Sequence, residues 1–359
     1  MMNMILRWFP FGDDSVLLRH IRQVPCVSGV ATCLSDQPVG AVWPLERLMA
    51  LRDEVHAQGL KMEVIESVNI HEDIKKGLPT RDAYIDNYIA TLENLAQVGV
   101  KCLCYNFMPV MDWARSDLAY PLADGSTVMR YRHEDVVRMN PASIADTLLG
   151  SSQGYSLPGW EPERLHAMGE DMRIYQEMDP DAYWSNAKYF LDAVVPVAER
   201  LDIRMAIHPD DPPWPLYGLP KVITSAENIR RYLALHDSPY NGLTLCTGSL
   251  GANIDNDVPA LCYEFAKAGR VHFAHVRNVL HHSPQDFDET AHPSACGDLD
   301  MYAVMKALYD GGFDGYIRPD HGRMIWDEQA RPGYGLYDRA LGATYLLGLW
   351  EAIEKGASR

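Results

Sequence analysis

Four residues in the second half of the chain carry side chains that commonly bind metal ions. They are His208, Cys246, His275 and Asp320. Each stands at or just after the end of a short run of apolar and β-branched residues, which is the pattern of a buried strand. Two imidazoles, a thiolate and a carboxylate suit Mn(II), Fe(II) or Zn(II) better than Mg²⁺ or Ca²⁺. Taken singly, the same residues could be core histidines, a buried thiol and a capping carboxylate, but four equivalent positions favour a metal site.

The elements that must hold these residues alternate between strand and helix patterns. Strands are predicted at residues 4–8, 27–33, 61–66, 100–106, 203–208, 243–246, 271–276 and 316–318. Between them, apolar residues recur at three- and four-residue spacing, as in helices packed on a sheet. Several of these helices stop at a glycine shortly before the next strand, at Gly59, Gly99, Gly269 and Gly312. Glycine readily adopts the left-handed conformation that ends a helix, so these joins predict short loops.

Eight strand–helix units of this kind predict an α/β fold, a (β/α)8 TIM barrel. An open, doubly wound sheet is the alternative, and it usually carries a glycine-rich phosphate loop after its first strand. Here the first strand runs into residues 8–12, which read WFPFG. The closed barrel is therefore favoured, and we expect residues 1–359 to form a single barrel domain.

A long segment separates the fourth predicted strand from the next clear helix. A minimal barrel takes roughly 250 residues, whereas this chain has 359. Much of the surplus lies at residues 107–180, where the sequence looks irregular and contains proline and glycine. Loops that follow barrel strands lie over the catalytic face. We therefore expect the 107–180 insertion after strand four to be a lid or an oligomer contact.

Composition and charge narrow the classes of partner. The chain has 32 Lys and Arg against 49 Asp and Glu, a net charge of −17, which disfavours binding to nucleic acid and to anionic membranes. We find no run of about 18 apolar residues that would span a bilayer and no secretory signal, so a cytoplasmic protein is expected. Its seven cysteines have irregular spacing, which argues against a disulfide framework.

Several sequence motifs surround the candidate ligands. They are IHPDDPP at 207–213, LTLCTGS at 243–249, FAHVR at 273–277 and RPDHGR at 318–323, together with RWF at 7–9 and PGY at 332–334. Jointly they resemble the mannonate dehydratase family over essentially the whole chain. The resemblance implies a barrel related to that of xylose isomerase. It also implies one Mn(II) or Fe(II) ion per active site, held by His208, Cys246, His275 and Asp320.

The same resemblance implies loss of water from D-mannonate to give 2-dehydro-3-deoxy-D-gluconate, a step of hexuronate (glucuronate) breakdown. Such an elimination needs one group to take the C2 proton and another to protonate the departing C3 hydroxyl. His321, next to Asp320, and Tyr334, at a Pro-Gly turn, are the candidates for this catalytic pair, and either could be the base. His321 could instead orient the metal ligand, and Tyr334 could be a packing aromatic.

Four further residues are candidates for binding the substrate. Arg7, Arg277 and Arg318 could pair with its carboxylate, with ordinary ion pairing as the alternative. Asn106, at the end of the fourth strand, could hydrogen-bond its hydroxyls, although asparagine also forms turns. A homo-oligomer, most simply a dimer, is expected.

Two other functions fit the same residues. A sugar isomerase or epimerase on this barrel would often gather more carboxylates around its metal. A non-catalytic protein that binds a metal or a sugar acid would keep the four ligands but would need no acid–base pair. A nuclease on a similar barrel is disfavoured by the acidic charge.

Overall fold

The computed structural model describes residues 2–139, 152, 154–155 and 162–357. Within these residues the chain forms twelve strands: β1 (Asn3–Arg7), β2 (Gly29–Thr32), β3 (Lys61–Glu66), β4 (Cys102–Tyr105), β5 (Asp117–Pro121), β6 (Thr127–Tyr131), β7 (Arg204–Ile207), β8 (Asn241–Cys246), β9 (Val271–His275), β10 (Asn278–Ser283), β11 (Asp286–Thr290) and β12 (Tyr316–Arg318).

The α-helices of the same residues are α1 (Leu18–Ile21), α2 (Leu45–Ala57), α3 (Glu72–Lys76), α4 (Arg81–Gln97), α5 (His133–Arg138), α6 (Pro162–Glu177), α7 (Pro180–Arg200), α8 (Ala226–Leu235), α9 (Thr247–Gly251), α10 (Val258–Lys267), α11 (Met301–Asp310) and α12 (Leu336–Ala357). In the described part of the chain, none of these helices combines the length and the apolar character needed to cross a membrane.

Eight of the strands close into a parallel barrel in the order β1-β2-β3-β4-β7-β8-β9-β12, and β12 pairs back with β1. Each of the eight overlaps one of the predicted strands, so the (β/α)8 fold is confirmed. An apolar cluster includes one residue or more from six of these strands and comprises Ile5, Ala31, Val64, Cys102, Cys104, Ala206 and Phe273. The four predicted glycine joins are also confirmed, because Gly59, Gly99, Gly269 and Gly312 have φ of 70°, 87°, 69° and 79°.

Strand register brings the ends of neighbouring strands to one level. Cys246 on β8 pairs with His275 on β9, and His275 pairs with Arg318 on β12. On the other side, β7 ends at Ile207, so His208 is the first residue after it. In a barrel all parallel strands end on the same rim, where active sites form. The register therefore directs these side chains toward one place.

The segment after β4 is more regular than the sequence led us to expect. Its strands β5 and β6 join β10 and β11 in a four-stranded antiparallel sheet, in the order β10-β11-β6-β5. An isolated bridge between Trp113 and Asp211 ties the same segment to the loop after β7. Residues 140–151, 153 and 156–161 of the predicted insertion lie outside the described residues. The described part is thus anchored to the loops after two barrel strands.

Candidate active site

The four predicted ligands lie together at the carboxyl end of the barrel. Candidate ligand atoms of His208, Cys246 and His275 all lie within 4.8 Å of one another. The Asp320 carboxylate joins them, with Oδ2 3.4 Å from the Cys246 Sγ and Oδ1 3.5 Å from the His275 Nδ1. Cys246 and His275 are completely buried. The group therefore brings two imidazoles, one sulfur and one carboxylate together at one rim of the barrel.

The charge state of Asp320 suits a cation ligand. Its carboxylate accepts a hydrogen bond from the Arg277 Nε at 2.7 Å. It also forms an ion pair with an Arg318 terminal nitrogen at 2.8 Å. Burial by itself would raise the pKa of Asp320, but the nearby His321, Arg318, His275 and Arg277 outweigh it and hold that pKa well below its usual range. Asp320 is therefore ionised near neutral pH.

A second group of candidate ligands, Glu66, Cys104 and His275, shares one histidine with the first. Two atoms in it, Glu66 Oε2 and His275 Nε2, are buried 3.5 Å apart without a hydrogen-bond partner among the described residues. Cys104, however, packs in the apolar interior of the barrel, and burial raises the pKa of its thiol well above the usual value. A thiol that stays protonated is a poor metal ligand. The first group is therefore the better candidate.

A chain of hydrogen bonds runs beside the four ligands. His321 Nδ1 lies 2.8 Å from the Glu289 Oε2, and His321 Nε2 lies 3.2 Å from the Tyr334 hydroxyl. Burial would raise the pKa of Glu289, but Arg277, His321 and Arg115 outweigh it and lower that pKa to about 2. An ionised carboxylate only accepts hydrogen bonds, so Nδ1 carries the proton that it donates to Glu289. Burial also raises the pKa of Tyr334 to about 12, which keeps its hydroxyl protonated at neutral pH.

The loop that carries Tyr334 is closely packed against the His321 loop. The Gly322 N–H donates to the Gly333 carbonyl at 2.8 Å. Gly333 has φ of 78°, and a Cβ there would lie 2.6 Å from the Met129 Cε and 3.2 Å from the His321 Cγ. Only glycine fits both this conformation and this space. The turn therefore fixes where the Tyr334 ring stands relative to His321.

A cavity of about 360 Å³ opens over these groups. Seven of the ten predicted site residues line it: Arg7, Asn106, His208, Arg318, Asp320, His321 and Tyr334. The carbonyl oxygen of the Asn106 side chain accepts a hydrogen bond from the Met108 N–H at 3.3 Å, which fixes this side chain at the cavity wall. Cys246 and His275 are buried beside the cavity, within ligand distance of His208.

The three predicted arginines have different surroundings. Arg7 and Arg318 line the cavity. Arg277 is instead enclosed behind Asp320, where its guanidinium also lies 2.9 Å from the Asp211 Oδ2 and 3.3 Å from the Ser249 Oγ. Arg277 is thus placed to hold Asp320, whereas Arg7 and Arg318 lie in the cavity wall.

Comparison with known proteins decides the family. The family described as D-mannonate dehydratase (UxuA) matches residues 2–359. A mannonate dehydratase of Thermotoga neapolitana is 56% identical over 358 residues, which cover 100% of this chain and 99% of that protein. The chain belongs to the mannonate dehydratase family. The interpretation as a hydro-lyase is therefore confirmed.

Solved structures agree with this assignment. The crystal structure of mannonate dehydratase from Streptococcus suis serotype 2 has a TM-score of 0.90 at 43% identity and covers 100% of this chain and 97% of that one. An L-ribulose 3-epimerase has a TM-score of 0.53 at 12% identity and covers 100% of this chain and 97% of that one. The second likeness shows only that the barrel fold is shared. Membership of the mannonate dehydratase family favours dehydration over the isomerase alternative.

Sequence reasoning missed three buried residues in this member of the mannonate dehydratase family. Arg115 binds Asp211 through two hydrogen bonds of 2.8 Å, and its Nε donates to the Glu289 Oε1 at 2.9 Å. Asp211 had a local signal, because it lies in the same motif as His208. Arg115 and Glu289 had none, since they stand 174 positions apart on the insertion and on β11. Arg115 connects Asp211, which holds Arg277, with Glu289, which holds His321.

Replacing Arg115 by methionine should destabilise the protein and lower its activity. The guanidinium is 1% exposed, so its loss leaves Asp211 and Glu289 buried with fewer counter-charges. Breaking a buried ion pair from one side costs about 3–5 kcal/mol. We expect the free energy of unfolding in urea to fall by about that amount, and the turnover of D-mannonate to fall with it because Glu289 no longer fixes His321.

Arg230→Met is the matched control. Arg230 also forms two hydrogen bonds with one carboxylate, that of Glu264, both at 2.6 Å, but it lies on the exposed surface. Exposed ion pairs contribute little to stability because water screens them. Arg230→Met should therefore have the same free energy of unfolding and the same turnover of D-mannonate as the parent protein. Equal unfolding free energies for the two variants would show that the Arg115 network is not needed for stability.

Proposed function

We propose that this chain converts D-mannonate to 2-dehydro-3-deoxy-D-gluconate, with His321 and Tyr334 as the catalytic acid–base pair. The observation that carries the proposal is the hydrogen-bonded chain Glu289–His321–Tyr334, which reaches the cavity beside Asp320. An elimination needs a base and an acid close to each other, and this chain supplies both within hydrogen-bond distance.

The four ligands proposed are His208, Cys246, His275 and Asp320, for one Mn(II) or Fe(II) ion per active site. The donor set fits such an ion, since it combines imidazole, sulfur and an ionised carboxylate. When bound, the ion would supply Lewis-acid stabilisation of the negative charge that develops on the substrate during proton removal. Mn(II) and Fe(II) share these preferences, so metal analysis of the purified protein must choose between them.

Substrate binding is proposed to use Arg7 and Arg318 for the carboxylate and Asn106 for a hydroxyl. The chain has a net charge of −17, so an anionic substrate needs a locally positive cavity. Two guanidinium groups in the cavity wall meet that need. Arg318 is held by the Glu66 Oε1 and the Asp320 Oδ1, both at 2.8 Å, so its position is fixed before substrate arrives.

The hydrogen-bond partners favour His321 as the base and Tyr334 as the acid. His321 Nδ1 donates to Glu289, so Nε2 carries a lone pair, and this lone pair can take the C2 proton when the Tyr334 hydroxyl turns from it toward the substrate. Tyr334 is protonated, so its O–H can give a proton to the C3 oxygen as the C3–O bond breaks. The proton on His321 Nε2 can then pass across 3.2 Å to the tyrosinate, which restores both groups. The substrate has lost one water, and the enol left behind tautomerises to the 2-keto acid.

The direct test is an assay of the purified protein with D-mannonate. We expect a 2-keto acid, measured by a carbonyl reagent and identified by mass as the substrate minus water. A product of unchanged mass would instead support an isomerase or epimerase. Binding of D-mannonate without any product would support the non-catalytic alternative.

We further propose that the described part of the 107–180 segment covers the cavity. Met108, Asp112, Trp113 and Met129, all from the described part of this segment, line the cavity. The dimer and the cytoplasmic location stay predictions from the sequence. Light scattering on the eluting protein and fractionation of the source cells would test them.

A further inference from the structure

The side chain of Ser249 contacts the candidate ligand Cys246. Its Oγ lies 3.1 Å from the Cys246 Sγ, and its backbone N–H points at the same sulfur from 3.4 Å. Both contacts arise because Cys246 ends β8 and α9 begins at the next residue. Ser249 is completely buried, so water does not compete for the sulfur on this side. Two donors on one residue are thus directed at the sulfur.

The neighbours of Ser249 determine where its hydroxyl proton points. Besides the sulfur, Ser249 Oγ has the Asp211 Oδ2 at 3.2 Å and an Arg277 terminal nitrogen at 3.3 Å. Arg277 can only donate, so the proton goes to the sulfur or to Asp211. Asp211 Oδ2 already accepts from Arg115 at 2.8 Å and from Arg277 at 2.9 Å. The sulfur is therefore the acceptor that remains for the Ser249 proton.

Packing holds this arrangement in place. Gly248 lies under the Arg277 side chain so closely that a Cβ would stand 2.5 Å from the Arg277 Cγ. The Thr247 hydroxyl donates to the Arg277 carbonyl at 2.7 Å and accepts from the Arg277 N–H at 3.0 Å. Arg277 is thus fixed over α9, and it fixes Ser249 in turn. The Ser249 hydroxyl is therefore preorganised rather than free to rotate to another partner.

We propose that Ser249 is a positioning residue that tunes the Cys246 thiolate and thereby sets which metal the site prefers. This inference rests on the proposed function in one respect, which is that Cys246 is a ligand. Hydrogen bonds to a metal-bound sulfur withdraw charge from it and make it a weaker, harder donor. A harder sulfur favours Mn(II) or Fe(II) relative to soft ions such as Cd(II).

The test compares metal binding to the parent protein and to Ser249→Ala. The ratio of the Kd for Mn(II) to the Kd for Cd(II), each measured by competition with a chelator, should rise about tenfold or more in the variant. Both ions require the same deprotonated thiol, so a change in thiol acidity or in fold stability cancels in the ratio. In the Co(II)-loaded protein, the sulfur-to-cobalt charge-transfer band should move to longer wavelength, because the sulfur electrons are less stabilised.

Three further variants sharpen the test. Ser249→Gly also lacks the hydroxyl and should show the same two changes, while Ser249→Thr keeps it and should restore the parent values. Thr244→Val removes another buried hydroxyl, on β8, which donates to the Ala206 carbonyl at 3.0 Å instead of to the sulfur, so its metal ratio and band should match the parent. If the charge-transfer band of Ser249→Ala and of Ser249→Gly stays at the parent wavelength, this inference alone is overturned. A parent protein without a sulfur-to-cobalt band would overturn the assignment of Cys246 as well.

Discussion

Tyr334→Phe should lower the kcat for D-mannonate by about 100- to 10,000-fold, the usual effect of losing a general acid or base. The ring remains, so its edge-to-face packing on Phe9, with ring centres 4.9 Å apart, is retained. Only the hydroxyl that faces His321 Nε2 and the cavity is lost. His321→Ala should lower kcat at least as much. Steady-state assays of keto-acid formation would measure both effects.

The metal content of these variants separates catalysis from metal binding. Neither side chain is among the four proposed ligands, so both variants should retain nearly the metal content of the parent protein. Tyr240→Phe is the matched control, because it likewise removes one hydrogen-bonded tyrosine hydroxyl, but one that donates to the Asp202 carboxylate at the surface, away from the cavity. It should have the parent kcat. Parent-like turnover in Tyr334→Phe and His321→Ala would remove both residues from the proposed catalytic pair.

Cys246→Ser should lose metal and activity together. A serine hydroxyl does not ionise at neutral pH, so the site loses the anionic sulfur that we propose as a ligand. The loss of metal affinity should exceed the roughly 10- to 100-fold that changing a residue behind the ligands costs. Metal analysis after dialysis against a chelator of known affinity, with the keto-acid assay on the same samples, would measure both.

Cys262→Ala is the control for this substitution. Cys262 is also completely buried, but it packs in the apolar core on α10, where burial raises the pKa of its thiol far above the usual value. Its replacement should cost stability through the cavity left behind while the protein keeps its metal. Full metal occupancy in Cys246→Ser would remove the thiolate from the site.

The hydrogen-bonded partners of His321 show where prediction from sequence stops. His321 and Tyr334 could be selected because they stand beside Asp320 and in a Pro-Gly turn. Glu289 could not be selected in this way. It lies on β11, which pairs with β6 of the insertion, and its contact with His321 is a contact between distant parts of the chain. Short antiparallel strands leave a weak signal in a segment that contains proline and glycine. The same reason explains why the insertion looked irregular.

Arg277 shows a limit of a different kind. Arg277 comes two residues after His275, which indicated that it would lie near the site. The structure places it there, behind Asp320. The sequence does not say which way a side chain points beyond the end of a strand, and the choice between substrate contact and support of Asp320 depends on what surrounds it. Here Asp211, Ser249 and Glu289 enclose the guanidinium.

The sequence by itself determined the eight barrel strands, the helix-ending glycines and the four residues that meet at one rim. These follow from local rules, since hydrophobic periodicity sets the strands and parallel strands end on the same side of a barrel. Only the tertiary structure decided the hydrogen-bond partners of His321 and Tyr334, the enclosed position of Arg277 and the contact between the Ser249 hydroxyl and the Cys246 sulfur. Those depend on charges and donors brought together from distant parts of the chain, and burial makes each contact strong.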